Sequence, residues 1–248
     1  MTDQNYPDTA EVFDRFTALA TIAPEAGGLL VFAGELDRRG MAIAVASNIA
    51  GAASLAVDGN AERAKQALRQ GICDFMVNSF DEALRILKNE IRKKQPAAVV
   101  LVSDPARSAA AMLERGVQPD LVAGEGLQSE KFVERGAKML PAAVATVGSL
   151  VVTWSVSQDA AKWLPLVDAV AAEALGSDED SRVKWLRLGP RYLQKQLSKE
   201  RYVRFTADEL VRFVGLLQQR IHSGEIAVPV EILSDGQPVI QPSSSAAV

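Results

Sequence analysis

The stretch from Leu29 to Arg63 constrains the fold more than any other part of the chain. Leu29-Leu30-Val31-Phe32-Ala33 is a short apolar run closed by Gly34, and Ser54-Leu55-Ala56-Val57 is a second one closed by Asp58. Both are too short for buried helices and read as strands. Between them Met41, Val45 and Ile49 recur every four residues, while Ala42, Ala46 and Ala50 form a parallel stripe of small side chains. A helix with such a stripe can lie close on a sheet. Two fully apolar strands joined by a helix demand a right-handed parallel crossover with both faces of the sheet covered. This is the first half of a mononucleotide-binding unit, and Asp58 ends its second strand where an acid usually holds the adenine ribose.

The turn of that unit is poor in glycine. Cradling a pyrophosphate takes glycines for tight bending and close backbone approach, yet the segment reads Gly34-Glu35-Leu36-Asp37-Arg38-Arg39-Gly40, with two glycines and two acids. Asp37 reads as the N-cap of the helix, and its carboxylate competes with a phosphate for the same backbone N–H groups. Arg38 and Arg39 stand where the phosphates would lie. They could replace backbone donors with bidentate guanidinium contacts, but the expectation is that they pair with Glu35 and Asp37.

Further along, Asp8 with Glu11 reads as a capping box for a helix whose Val12, Phe13, Phe16, Leu19 and Ala20 share one face. Asn60 caps a helix through Arg69 that Gly71 stops. Cys73, Phe75 and Val77 alternate with polar neighbours as a short strand, and Ser79 with Glu82 opens an amphipathic helix ending in Arg92-Lys93-Lys94. Ala97 to Val102 is a buried strand. Asp104 and Pro105 start the next helix, Gly116 closes it, and Asp120 to Ala123 is the strand after it. Strand and helix alternating with short links give a doubly wound parallel sheet.

With these elements in place, residues from about Gly27 to Pro141 resemble the central Rossmann-like domain of urocanase. The resemblance rests on Ala50-Gly51-Ala52 with Leu55-Ala56-Val57-Asp58, on Glu62-Arg63, on Phe80-Asp81-Glu82-Ala83-Leu84, and above all on Met112-Leu113-Glu114-Arg115-Gly116-Val117-Gln118-Pro119-Asp120-Leu121-Val122. Urocanase hydrates urocanate with tightly bound NAD as an electrophile, so the resemblance implies an NAD-holding domain. It places the cofactor-binding residues at Gly34, Gly40, Asp58, Arg63 and Asp104. Asp58 takes the place of the acidic ribose ligand and Arg63 that of its nearby arginine. The family's glycine-rich turn falls on Arg38-Arg39-Gly40-Met41, and its Asn-Ala pair on Asp104-Pro105. Its Gln-Thr-Ser-Ala-His segment falls on Glu125-Gly126-Leu127-Gln128-Ser129, which differs at every position. The family's active-site cysteine and outer domains lie outside this region, so no catalytic residue carries over.

Composition narrows the remaining choices. Net charge is −4, from 27 basic and 31 acidic residues, with one cysteine and one histidine in 248 residues. Cys73 alone forms no internal disulfide and suits a reducing compartment, and Cys73 and His222 together supply no His/Cys metal site. In its apolar alternation Cys73 reads as a buried structural thiol, and His222 as a favourable cation at a helix C-terminus. The polar N-terminus and the absence of an apolar run near the roughly 18 residues of a membrane span point to a cytoplasmic protein without membrane contact.

Beyond residue 141 the resemblance fades. Leu150 to Val156 reads as one more strand of the main domain. Ser157 then caps a helix carrying Trp163, Leu164, Val167, Val170 and Ala174, and a further helix begins at Asp178-Glu179-Asp180 and is interrupted at Gly189-Pro190. Basic residues from Arg182 to Arg204 interleave with Trp185, Tyr192, Tyr202 and Phe205, a pattern that could bind single-stranded nucleic acid. The spacing of Arg187, Arg191, Lys195 and Lys199 instead suggests one solvated helix face in a chain that is acidic overall. Thr206 and Glu209 form a capping box, and Ile226 to Leu233 turns at Asp235-Gly236 toward Pro238-Val239-Ile240 as a hairpin.

The expected fold is therefore α/β: a Rossmann-like parallel sheet with helices on both faces, plus a C-terminal helical extension with a β-hairpin. Residues 1–24 form a tail, disordered through Pro7, and an amphipathic helix; 25–156 the Rossmann domain; 157–240 the extension; and 241–248 a disordered tail. The expected function is a urocanase-like protein that binds NAD or a related nucleotide and does not hydrate urocanate alone. A non-catalytic scaffold is the first alternative and nucleic-acid binding through residues 182–204 the second. The extension is expected to build a homo-oligomer.

Overall fold

The computed structural model describes residues 6–123, 126, 128–143 and 148–239, and they fall into two compact units, residues 1–144 and 145–248. Expectations for residues 1–5, 125, 127 and 240–248 lie outside the described residues. Tyr6 and Pro7 are placed, and Pro7 is buried, so the expected tail ends sooner than Pro7.

The first unit runs α1 (Thr9–Ile22), β1 (Leu30–Glu35), α2 (Arg38–Ala50), β2 (Ala53–Asp58), α3 (Ala61–Arg69), β3 (Phe75–Val77), α4 (Phe80–Lys93), β4 (Ala97–Val102), α5 (Pro105–Glu114), β5 (Leu121–Ala123), α6 (Ser129–Glu134) and β6 (Lys138–Leu140). All six strands are parallel, in the order β3-β4-β2-β1-β5-β6. The short edge strand β6 and its helix α6 carry no strong sequence signal and were not anticipated.

The Leu29–Arg63 stretch folds as its pattern requires. The α2 helix packs on β1, β2 and β4, with α1 also packed against it. Every residue from Gly40 to Ala50 is buried, which is why this span is apolar around the helix apart from Ser47 and Asn48 rather than amphipathic. Gly51, at φ 94°, closes it in the left-handed conformation. The opposite face of the sheet is covered by α4, α5 and α6, whose Ala83, Leu87, Ala109, Met112 and Phe132 meet Leu30, Phe32, Leu55, Val57, Val99 and Leu101. Phe32 and Phe132 pack edge to face at 5.6 Å.

The second unit contains β7 (Leu150–Val156), α7 (Ala160–Leu175), α8 (Ser181–Tyr192), α9 (Gln194–Leu197), β8 (Glu200–Phe205), α10 (Ala207–His222), β9 (Val230–Ser234) and β10 (Gln237–Pro238). Its sheet is antiparallel, in the order β10-β9-β7-β8. Three expectations change here. Leu150–Val156 is a central strand of this second sheet and not part of the parallel one. Residues 200–205 are a strand, so the expected hairpin beside the helices is part of a four-stranded antiparallel sheet. The α7 helix starts after Asp159, at φ 47°, without a side-chain cap, and not at Ser157.

The hairpin turns at Asp235-Gly236 as expected, but its first strand begins at Val230 and not at Ile226. Asp235 and Gly236 both take positive φ, the conformation a two-residue type I′ turn needs. The core behind the sheet is aromatic: Trp154, Phe205 and Phe213 have ring centroids 5.1 to 6.4 Å apart. Thr206 and Glu209 form the full capping box.

Candidate functional site

In an open parallel sheet ligands bind beyond the carboxyl ends of the strands, where the strand order reverses. That point lies beside β1, which has β2 on one side and β5 on the other. The loops that reach it are Leu36–Asp37, Gly59–Asn60 and Ser103–Asp104, each leading into a helix.

The first loop is closed in on itself. Gly34 has φ 80° and sits at a register shift between β1 and β2, so it supplies the sharp turn. A Cβ on Gly40 would collide with the carbonyl oxygen of Glu35, so this glycine permits the close approach of helix to strand. These are two of the three tasks of a G-x-G-x-x-G fingerprint. The third, letting the backbone approach a pyrophosphate, has no glycine to perform it. Leu36 is fully buried and its N–H donates to the Val57 carbonyl at 2.9 Å. The Gly40 N–H donates to Asp37 Oδ1 at 2.8 Å, so the helix terminus already carries its anion.

Arg38 corrects an expectation. It pairs with Glu11 of α1 at 3.0 Å and lies 3.7 Å from Asp8, rather than pairing with Glu35 or Asp37. The α1 carboxylates lie on the helix packed against α2, a proximity that sequence spacing does not reveal. Glu11 is thereby drawn away from the capping box with Asp8, whose side chain accepts from the Ala10 N–H instead.

The second loop places Asp58 and Arg63 together. Asp58 is fully buried; its Oδ1 accepts from the Asn60 N–H at 2.7 Å, and Oδ2 lies 2.7 Å from Arg63 Nε in an ion contact without hydrogen-bond alignment. The Asp58 side chain is 1% exposed and that of Arg63 37%. Asn60 caps α3 through Glu62 and Arg63. A depression of about 620 Å³ on this helix is lined by Asn60, Glu62, Arg63, Gln66 and Arg69. In the third loop Asp104 accepts from the Arg107 N–H at 2.7 Å as the cap of α5.

One residue that sequence reasoning passed over belongs to this neighbourhood. Arg15 of α1 is 6% exposed; its Nη1 donates to the Pro141 carbonyl at 3.2 Å, and its Nε has no acceptor among the described residues. Burial, and the nearby Arg39 cation, lower its pKa, while Glu11, Asp14 and Asp37 raise it. The signal was present in its spacing, three residues after Val12 and four before Leu19 on the apolar face of the helix.

Elsewhere the geometry is less permissive. Burial pushes the Cys73 thiol up to about 12, with Asp74 adding to it, so the thiolate that a nucleophile needs is suppressed. His222 Nδ1 lies 2.7 Å from the Gln218 carbonyl at the end of α10. The basic stretch from 182 to 204 is not one helix face: α8 ends at Tyr192, continuing past Gly189-Pro190, and the rest divides between α9 and β8. Arg182 is clamped by Asp180 and Glu209, and Arg187 by Asp178. Burial opposes the Arg182 cation, but those carboxylates outweigh it and raise its pKa. Trp185 is buried and donates to the Tyr202 carbonyl at 2.6 Å, so it offers no stacking face. Among the described residues, no helix is long and apolar enough to cross a membrane and no acid, histidine and cysteine cluster could hold a metal ion.

These residues do not fit NAD held by an acidic ribose anchor and a bare helix terminus. Asp58 is buried against Asn60 and Arg63, and Val57 and Asp37 take the Leu36 and Gly40 N–H groups of the turn. The family model described as the urocanase Rossmann-like domain matches residues 9–127, and the six parallel strands with their covering helices have that architecture.

Proposed function

We propose that the urocanase Rossmann-like domain of this chain works as a scaffold rather than as the NAD-dependent hydratase core, and that the chain does not hydrate urocanate alone. The observation that carries this reading is the sealed state of Asp58, whose carboxylate stabilises the Gly59–Asn60 turn and Arg63 instead of facing a ligand. Calorimetric titration with NAD tests it. The expected outcome is no binding tighter than about 1 mM, roughly −4 kcal/mol, with Asp58→Asn lowering the melting temperature whether or not NAD is present. Micromolar binding that Asp58→Asn abolishes in a folded protein overturns it.

A second reading has its own support. The buried Arg15 with an unaccepted Nε, close to Arg39 and the start of α2, could meet a nucleotide phosphate by guanidinium contact instead of backbone amides. Under that reading NAD or a related nucleotide binds weakly and Arg15→Gln removes the binding while Asp58→Asn does not. We also propose that the C-terminal unit mediates self-association, which light scattering of the full chain after gel filtration measures directly.

A further inference from the structure

A glycine inside a helix destabilises it relative to alanine, so its presence there calls for a reason. At two such positions the chain supplies one: a Cβ on Gly40 would collide with the Glu35 carbonyl oxygen, and a Cβ on Gly189 would press on Leu197 at 3.3 Å. Gly215, in the middle of α10, is different, because a Cβ there would meet nothing within 4 Å. The α10 helix packs on α7 and β8 and buries Phe213 and Leu217. At about 100° per residue Gly215 lies on the opposite, outward side, with Asp208 and His222 one heptad before and after it and Val211 one turn before it. Val211 is 73% exposed, more than any other large apolar side chain among the described residues. Arg212, at the flank of this face, is turned back to α7, where its Nη1 donates to the Ala174 carbonyl at 2.9 Å.

Charge decides what can cover this face. It carries an acid in the first turn, Asp208, and a base in the last, His222. The other charged side chains of those turns are taken, Glu209 by Arg182 and Arg220 by Glu173 and Glu225. His222 Nδ1 lies 2.7 Å from the Gln218 carbonyl, which leaves Nε2 for a partner, and an opposing carboxylate favours the imidazolium that donates from both nitrogens. Asp208 and His222 stand seven residues to either side of Gly215. A second α10 laid antiparallel about a two-fold axis through Gly215 therefore sets each Asp208 against the His222 of the other copy, with the two macrodipoles opposed. A face of one sign would call for a foreign partner, whereas this one is complementary to itself. We propose that the outward face of α10 is the seam of a two-fold homodimer, its helices crossing closely at Gly215 and covering Val211. This rests on the self-association proposed above for the C-terminal unit and names the surface that carries it.

Sedimentation equilibrium of the full chain is expected to show a reversible monomer–dimer equilibrium with a Kd on the order of 10 µM, as suits a seam of one helix pair. Gly215→Lys strengthens the helix but sets two like charges on the axis, so it is expected to weaken the dimer at least about tenfold while raising the melting temperature of the dilute chain. Asp208→Lys is expected to weaken the dimer about tenfold, and adding His222→Asp, which reverses the pair, to recover most of that loss. On oxidation Gly215→Cys is expected to give a disulfide-linked dimer, because Cα atoms beside the axis come within about 4.4–6.8 Å; Asp208→Cys, with its two thiols about 21 Å apart along antiparallel helices, is not. The native Cys73 is buried and does not compete. A chain that stays monomeric well above that Kd overturns this inference and the self-association reading together. A dimer that survives both lysine variants, a reversed pair no tighter than Asp208→Lys alone, or cross-linking in Asp208→Cys and not in Gly215→Cys overturns the α10 seam and leaves self-association to another surface.

Discussion

Two aspartate–arginine pairs, one in each unit, have the same 2.7 Å separation and different physical meanings. Asp58 and Arg63 are near neighbours in sequence, joined across one strand-to-helix turn; the acid is buried, and the arginine leaves 37% of its side chain in water. Asp168 and Arg201 lie 33 residues apart, join α7 to β8, and are both buried. The first pair locks a local turn, and an arginine left without its acid can hydrate. The second pair crosses the core, where neither charge can. Burial pushes the Asp168 carboxyl up to about 6 even against the pull of Arg201 and Trp154. The contrast teaches that ion-pair distance says little until the solvation of each member is known.

Cutting each pair in turn should expose the difference. Asp168→Ala leaves a buried guanidinium uncompensated and is expected to cost about 3–5 kcal/mol in urea unfolding. For the pH dependence the sign follows from the raised carboxyl. Between its ordinary 3.8 and about 6 the native state binds more protons than the unfolded chain, so stability is greatest below this window and falls as pH rises through it. The fall is bounded at about 3 kcal/mol and should be missing from Asp168→Asn, measured by the same unfolding at each pH. Asp58→Ala loses the Asn60 bond and the ion contact but frees Arg63 to hydrate, and about 1–3 kcal/mol is expected; a loss equal to that of Asp168→Ala would erase the comparison. Smallest is Arg38→Ala. Its pair with Glu11 is exposed on the arginine side by 60%, so thermal unfolding should register less than about 1 kcal/mol, and still less in high salt.

Legibility in the sequence followed the range of the interaction. The parallel sheet was readable because apolar runs of strand length and a buried helix leave only one crossover. The caps Asp37, Asn60, Asp104 and Thr206 were readable because an acceptor side chain answers N–H groups two or three residues on. Strand β8 was hidden: Arg201, Val203 and Phe205 alternate inward, but the arginine on the buried face made the run resemble a charged surface. Arg38 was assigned to the wrong carboxylates since its partners come from α1. Arg15 was overlooked because a cation on an apolar face breaks the pattern by which such faces are recognised.

At the site the same limit operated. The residue types at Gly34, Gly40 and Asp58, and the want of a middle glycine, could be seen in one dimension. That Gly40 is required by the Glu35 carbonyl, and that Asp58 is turned inward to Asn60 and Arg63, could not. Short-range sequence determined most strands and helices and their caps, with β6, β8, α6 and the start of α7 as exceptions, since hydrophobic period and capping act over a few residues. Which sheet Leu150–Val156 joins, which charges lose their water and which arginines keep an unmatched donor depend on packing, because desolvation is imposed by elements far away along the chain.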